Sequence, residues 1–284
     1  MSKTFSIVCP ASAGSEKDFR LCDEFFESVK FGKYSRNSNF DMGGSDQERA
    51  DDLMNAFAEE SDAILAIRGG YGSARLLDKI DYEELKENPK PFFGYSDITA
   101  FQLALWHKSA IPSYSGFMPG VDLRPANFSE TTISCFEKIV NNQQLDKIEN
   151  LNVVKEGKAE GVLLGGCLSV ITSMIGSDYL PDFTGAILFV EDVNEPPYCV
   201  DRMLLQLYHA GILTKLSGLI FGAFTKSFRI NHKLTLEAVI ADYAPLINGP
   251  VMTELPYGHI QHKVIMPIGK KAVLCSETKS LSFL

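Results

Sequence analysis

The chain has 284 residues, 45% hydrophobic and 22% charged, proportions that allow a full core in one large domain or two. Its formal net charge is -9 and no stretch gathers Lys and Arg, which excludes the basic footprint needed for nucleic acid or an anionic membrane surface. A small-molecule partner is expected. Met1–Thr4 is followed by an apolar run, Phe5 to Cys9, too short for a signal-peptide core or a membrane span. Six cysteines lie scattered at 9, 22, 135, 167, 199 and 275, with no CxxC pair and no zinc-ligand spacing. The expectation is a cytoplasmic protein with reduced thiols and no membrane partner.

In chain order, Phe5 to Cys9 reads as a β run that ends at Pro10 and the small residues 11–14. Residues 16–29 carry helical apolar spacing. A second helix is predicted over 46–60, with Ala50, Leu53, Met54 and Phe57 on one face, Ser45 as N-cap and Glu48 as its capping-box partner. Ala63 to Ile67 is a continuous apolar run, as in a strand buried on both faces of a parallel sheet, and it stops at Arg68-Gly69-Gly70-Tyr71-Gly72. Pro91 to Gly94 is a further short strand, followed directly by a helix over 97–108. Strand, loop and helix in repeated order imply a doubly wound α/β sheet, in which ligands bind at the carboxyl ends of strands. The Gly-rich and the Ser-containing loops both fall at such ends.

From Val121 to Gly157 the pattern weakens, apart from a helix over 132–140, and this stretch reads as a connector between a first domain, 1–120, and a second, 158–284. In the second, Gly185 to Val190 is a buried strand. Pro196-Pro197 opens a helix with Val200, Met203, Leu204 and Leu207 on its apolar face, and strands are expected over 216–221 and 271–274.

Gly94-Tyr95-Ser96-Asp97 puts a serine on a corner between strand and helix, where its hydroxyl is exposed and the Asp97 amide faces an oxyanion. The plain alternative is that Ser96 N-caps the helix. The turn also lacks the trailing Gly of a G-x-S-x-G elbow, because Ile98 stands there. Three glycines within Gly69–Gly72 let backbone N–H groups approach a ligand, as an oxyanion hole, as a phosphate cradle, or merely as a tight turn. Glu191, Asp192 and Glu195 follow a buried strand, where one carboxylate could orient a histidine. Of the five histidines (107, 209, 232, 259 and 262), His259 lies in a loop, and imidazole changes charge near neutral pH, which suits a general base. His262 is its local competitor.

These residues resemble the LD-carboxypeptidases, which include the muramoyltetrapeptide carboxypeptidases of cell-wall recycling and the microcin C self-immunity peptidases. The resemblance runs through Arg68–Gly72 and Ala74–Leu77, Gly94–Ala100, Ser115-Gly116 with Met118, Ala159–Gly161, Gly165-Gly166, Glu191–Glu195, Arg202–Leu207, Tyr257–His259 and Pro267–Gly269. It implies Ser96 as nucleophile, Glu191 as triad acid and His259 as base, with backbone N–H groups of Gly70 and Asp97 as oxyanion hole. It implies an α/β fold, with a Rossmann-like N-terminal domain around a parallel sheet and a smaller β-rich C-terminal domain, in a homodimer that needs no cofactor. The implied substrate is a small peptide, murein tetrapeptide, cut between the L-centre of a diamino acid and a terminal D-alanine. Arg68, Tyr71, Arg75 and Arg202 are candidates for binding it, an Arg being suited to a free carboxylate. Phe117 and Cys167 stand where relatives commonly have Pro and Asn, and both are expected to alter the pocket wall. The rival readings are a microcin C-type peptidase with the same triad, a non-catalytic protein that binds phosphate or nucleotide on its Gly-rich loop, and a metal-dependent peptidase.

Overall fold

The computed structural model describes residues 3–227 and 233–284, which form two compact units, Met1–Gln144 with Gln261–Pro267, and Leu145–Ile260 with Ile268–Leu284. Residues 121–157, read above as a connector, contribute a helix to the first unit and a strand to the second. Among the described residues no helix is long and apolar enough to cross a membrane.

The first unit is built on β1 (Thr4–Val8), α1 (Glu16–Phe25), β2 (Ser28–Phe31), α2 (Asp46–Ala58), β3 (Ala63–Ala66), α3 (Tyr82–Glu87), β4 (Phe92–Gly94), α4 (Thr99–Ser109), β5 (Ser113–Ser115), α5 (Pro119–Asp122) and α6 (Glu130–Val140). Strands β1 to β5 pair in parallel in the order β5-β4-β3-β1-β2. The expected double burial holds, since every residue of β3 and β4 is buried. Each large side chain so buried, Ile64, Leu65, Phe92 and Phe93, contributes about 1.5–3 kcal/mol. α1 and α2 both open on capping boxes, Ser15 with Asp18 and Ser45 with Glu48. α1 ends sooner than the apolar spacing predicts. Phe26 turns extended to pack on the Phe5 ring at 4.7 Å, and Val29 joins β2 beside β1.

The second unit is a mixed sheet formed by β6 (Asn152–Lys155), β7 (Lys158–Cys167), β8 (Ile187–Val193), β9 (Gly218–Thr225), β10 (Val251–Thr253), and, after β11 (Met266–Ile268) in the first sheet beyond β5, β12 (Lys271–Cys275) and β13 (Ser280–Phe283). Its order is β13-β12-β7-β8-β9-β10-β6, with β7, β8, β9 and β10 parallel and the outer strands antiparallel. Helices α7 (Leu168–Ser173), α8 (Pro197–His209) and α9 (Leu236–Tyr243) belong to this unit, and the predicted apolar face of α8 is buried throughout.

One polar pair sits inside the first unit. Lys263 and Asp122 are each 2% exposed and ion-paired, the Asp122 carboxylate also accepts the Met118 N–H at 2.8 Å, and the Lys263 ammonium lies 5.0 Å from the Tyr95 ring centroid. Removing one partner strands the other charge out of water. Lys263→Met is therefore expected to cost about 3–5 kcal/mol in urea unfolding, and adding Asp122→Asn should restore part of it. An unchanged unfolding midpoint would show the pair to be energetically idle.

Candidate active site

Ser96 follows β4 directly and is the first residue of a short 3-10 turn, Ser96–Ile98, that runs into α4. No side chain caps that turn or α4, so Ser96 is not an N-cap. Its backbone is left-handed, φ 63°, a conformation that non-glycine residues hold only where the surroundings enforce it. One enforcing neighbour is Gly69, where an added Cβ would lie 2.9 Å from the Ser96 Cβ.

The Gly-rich turn is tied down beside Ser96. The Ser73 N–H donates to the Asp97 carboxylate at 2.8 Å, and the Ser73 hydroxyl donates to the Asp97 carbonyl at 2.5 Å. From the loop after β1, Ser12 N–H donates to the Gly69 carbonyl at 3.3 Å, and Tyr71 N–H donates to the Ser12 hydroxyl at 3.3 Å. Gly70 has φ 113°, and a Cβ there would fall 2.2 Å from the Ser12 Oγ, so only glycine fits. Among the described residues no hydrogen bond uses the Gly70 or the Asp97 N–H.

In the second unit, Glu191 near the end of β8 is fully buried, and His259 Nδ1 lies 2.7 Å from its Oε2. An ionised carboxylate only accepts, so this contact places the ring proton on Nδ1 and leaves Nε2 as the acceptor. Gly258 makes the approach possible, because it has φ 125° and a Cβ there would sit 2.9 Å from Glu191 Oε2. The loop is fixed by Ala223 N–H, which donates to the Tyr257 carbonyl at 2.8 Å, and by the Tyr257 ring against Phe189 at 5.0 Å.

The competing groups have other duties. Asp192 accepts the Ser169 N–H at 2.7 Å at the start of α7. His262 Nδ1 meets the Ser129 hydroxyl at 3.1 Å, and His107 and His209 lie on α4 and α8. His232 lies outside the described residues. Arg75 is held by both oxygens of Asp46, at 2.9 and 2.7 Å, and Arg202 lies 5.2 Å over the Tyr198 ring. Arg68 is half-buried with its Nε out of water and without a hydrogen-bond partner, and Tyr71 is 60% exposed. Phe117 is fully buried against Phe136, ring centroids 4.6 Å apart. Cys167, 5% exposed, pairs across the strands with Glu191, and burial first, then the Asp192 and Glu191 carboxylates, push its thiol well above the ordinary range. A thiol so raised is no nucleophile.

Sequence reasoning missed Ser12, Arg49 and Ser73. Ser12 was within reach, since it lies in a small-residue loop at the carboxyl end of a strand. Arg49 carries no signal at all, because within Asp46–Arg49 it reads as a solvated helix face.

Residues 6–116 match the LD-carboxypeptidase N-terminal domain, and residues 160–274 match the LD-carboxypeptidase C-terminal domain. The protein is a serine-type peptidase. It belongs to the LD-carboxypeptidase family. It is similar to the "Probable murein peptide carboxypeptidase" of Bacillus subtilis, 32% identical over 287 residues that cover 98% of this chain and 90% of the relative. The crystal structure of muramoyltetrapeptide carboxypeptidase from Oxalobacter formigenes shares the fold at TM-score 0.88 and 30% identity, covering 99% of this chain and 97% of that one. The Microcin C7 self-immunity protein of Escherichia coli is 26% identical over 314 residues, 98% of this chain and 91% of the relative.

Burial raises the Glu191 carboxyl above its ordinary value, and the opposing contacts from the His259 side chain and backbone do not offset it. A carboxyl raised in the fold favours folding below its unfolded pKa and loses that contribution as pH rises through the folded value. Glu191→Gln, which removes the ionisation, should therefore melt no lower than the parent at pH 8. Its advantage should vanish below about pH 4, where the parent is protonated. A Tm series across pH checks this, and an advantage that grows toward acid would reverse the sign.

Proposed function

We propose that this chain removes the terminal D-alanine of murein tetrapeptide, hydrolysing its amide to the L-centre of a diamino acid, with Ser96 as nucleophile, His259 as base and Glu191 as triad acid. The observation that carries the reading is the 2.7 Å contact between His259 Nδ1 and a carboxylate fully shut from water. It fixes the tautomer a serine base needs and stabilises the imidazolium that forms.

In this reading His259 Nε2 takes the Ser96 proton as Oγ attacks the amide carbonyl. The N–H groups of Gly70 and Asp97, not spent within the protein, receive the developing oxyanion, each contributing about 3 kcal/mol. His259 returns the proton to the departing D-alanine amine, and water, activated by the same ring, frees Ser96 from the acyl group. Arg68 takes the terminal carboxylate, a role supported by its unpartnered Nε at the end of β3 and by the engagement of Arg75 with Asp46. The names of the Bacillus and Oxalobacter relatives support the murein substrate. A second reading, cleavage of a nucleotidyl peptide, rests on the likeness to the microcin protein, which at 26% identity is the weaker of these.

Turnover of murein tetrapeptide by purified protein, followed as released D-alanine, tests the reading. Ser96→Ala should lower kcat by about 10^4-fold or more, and Arg68→Ala should act chiefly on KM. Cleavage of a nucleotidyl peptide alone would favour the second reading, and full activity in Ser96→Ala would end both. The resemblance extends the proposal to a homodimer in a reducing cytoplasm, and the Cys9 and Cys22 thiols, pushed up to about 12 by burial, suit that setting. Light scattering should give the mass of two chains, and a mass of one would remove the dimer.

A further inference from the structure

Arg49 is the largest fully buried side chain of the first unit, and no sequence signal marks it. From α2 its Nη1 donates to the carbonyl of Pro10 at 2.7 Å and to that of Gly72 at 2.9 Å. Its Nη2 meets Met42 Sδ at 3.3 Å and pairs with Asp46, whose carboxylate also grips Arg75. One guanidinium thus ties the loop after β1, which carries Ser12, to the far end of the Gly-rich turn. Burying it is costly, and a core needing only stability is served as well by an apolar side chain.

What that charge holds is specific. The Gly69 carbonyl accepts from Ser12 N–H, Tyr71 N–H donates to Ser12, the Gly72 carbonyl accepts from Arg49, and Ser73 is bonded twice to Asp97. Gly69, Tyr71, Gly72 and Ser73 are each bonded to a neighbouring segment, so Gly70 and its N–H are held between anchored residues. An oxyanion donor must be set in place before the reaction, because reorganising it during the reaction forfeits the stabilisation.

We infer that Arg49 is a positioning residue for the oxyanion donor. It clamps Pro10 and Gly72 so that, with Ser12, it presents the Gly70 N–H to the carbonyl attacked by Ser96. This rests on the reading of Ser96 and Gly70 given above. Arg49→Lys keeps the charge and loses the planar guanidinium, whose Nη1 meets both carbonyls while Nη2 is anchored on Asp46.

The test compares Arg49→Lys with the parent on murein tetrapeptide. In a variant with native near-UV circular dichroism, kcat should fall on the order of 100-fold with KM within about twofold, the signature of one lost oxyanion donor. A peptidyl boronic acid, whose tetrahedral adduct sets an oxygen on those donors, should weaken in step with kcat, while the tripeptide product should bind as before. If Arg49→Lys does not fold, Ser12→Ala decides, with an expected loss of about tenfold in kcat and the same boronate trend. Unchanged kcat in the folded variant, or a loss of kcat that leaves boronate affinity intact, overturns the inference. Ser96→Ala runs alongside, and if it keeps parental turnover it is the underlying reading of the site that has failed, not the role of Arg49.

Discussion

A carboxylate sealed from water with one imidazole against it is the constraint on which the loop carrying His259 is built. Glu191 lies in a parallel strand within the second sheet, where its neighbours are backbone and apolar side chains, so the ionised form is disfavoured. Its Oε1 is buried with no hydrogen-bond partner, which concentrates the electrostatic demand on Oε2 and hence on His259. An exposed carboxylate would satisfy itself with water and exert a far weaker hold on the ring. The Gly258 conformation and the docking of Tyr257 on Phe189 follow from this need, since any Cβ at 258 would collide with the carboxylate.

The first unit meets a different demand. In the proposed mechanism, Ser96 projects from a corner while two backbone N–H groups nearby stay unspent. A strand that stops dead at Gly94 and a 3-10 turn with no side-chain cap provide the corner, and the first N–H groups of such a turn have no internal acceptor. The Gly-rich turn is irregular, so its N–H groups are at risk of satisfying one another. Cross-links to Ser12, Ser73 and Arg49 fix the neighbours and leave Gly70 out.

Much of this was legible in the sequence where the governing physics is local. The capping box at Ser45, the buried runs of β3 and β8 and the apolar face of α8 are set by residues a few positions apart. The strand β7, the longest in the chain, was not legible. Gly161, Gly165 and Gly166 dilute its β signal, and its pairing partners β8 and β12 lie far away in sequence. The identities of Ser96, Glu191 and His259 came from resemblance and position after strands. Local pattern alone left each with a bland alternative. Arg49 was invisible because its partners, Pro10 and Gly72, are remote in the chain and present only carbonyl oxygens, which leave no trace in a sequence.

The buried ionic groups share a pattern. Glu191 holds the His259 ring, Arg49 braces the Gly-rich turn, and the Lys263–Asp122 pair sits under Tyr95, the residue before Ser96. Each has desolvation working against it, and a well-packed apolar core of equal volume is commonly as stable or more so. Apolar contacts, however, carry little directional preference, whereas a charge facing one carbonyl or one imidazole has a single best geometry. In the mechanism proposed above, reaction at Ser96 requires that narrower tolerance, because a displacement of about 1 Å at a reacting group can cost on the order of 100-fold in rate. On those proposed roles, the placement of charge in the core answers to the accuracy the site needs more than to the stability of the fold.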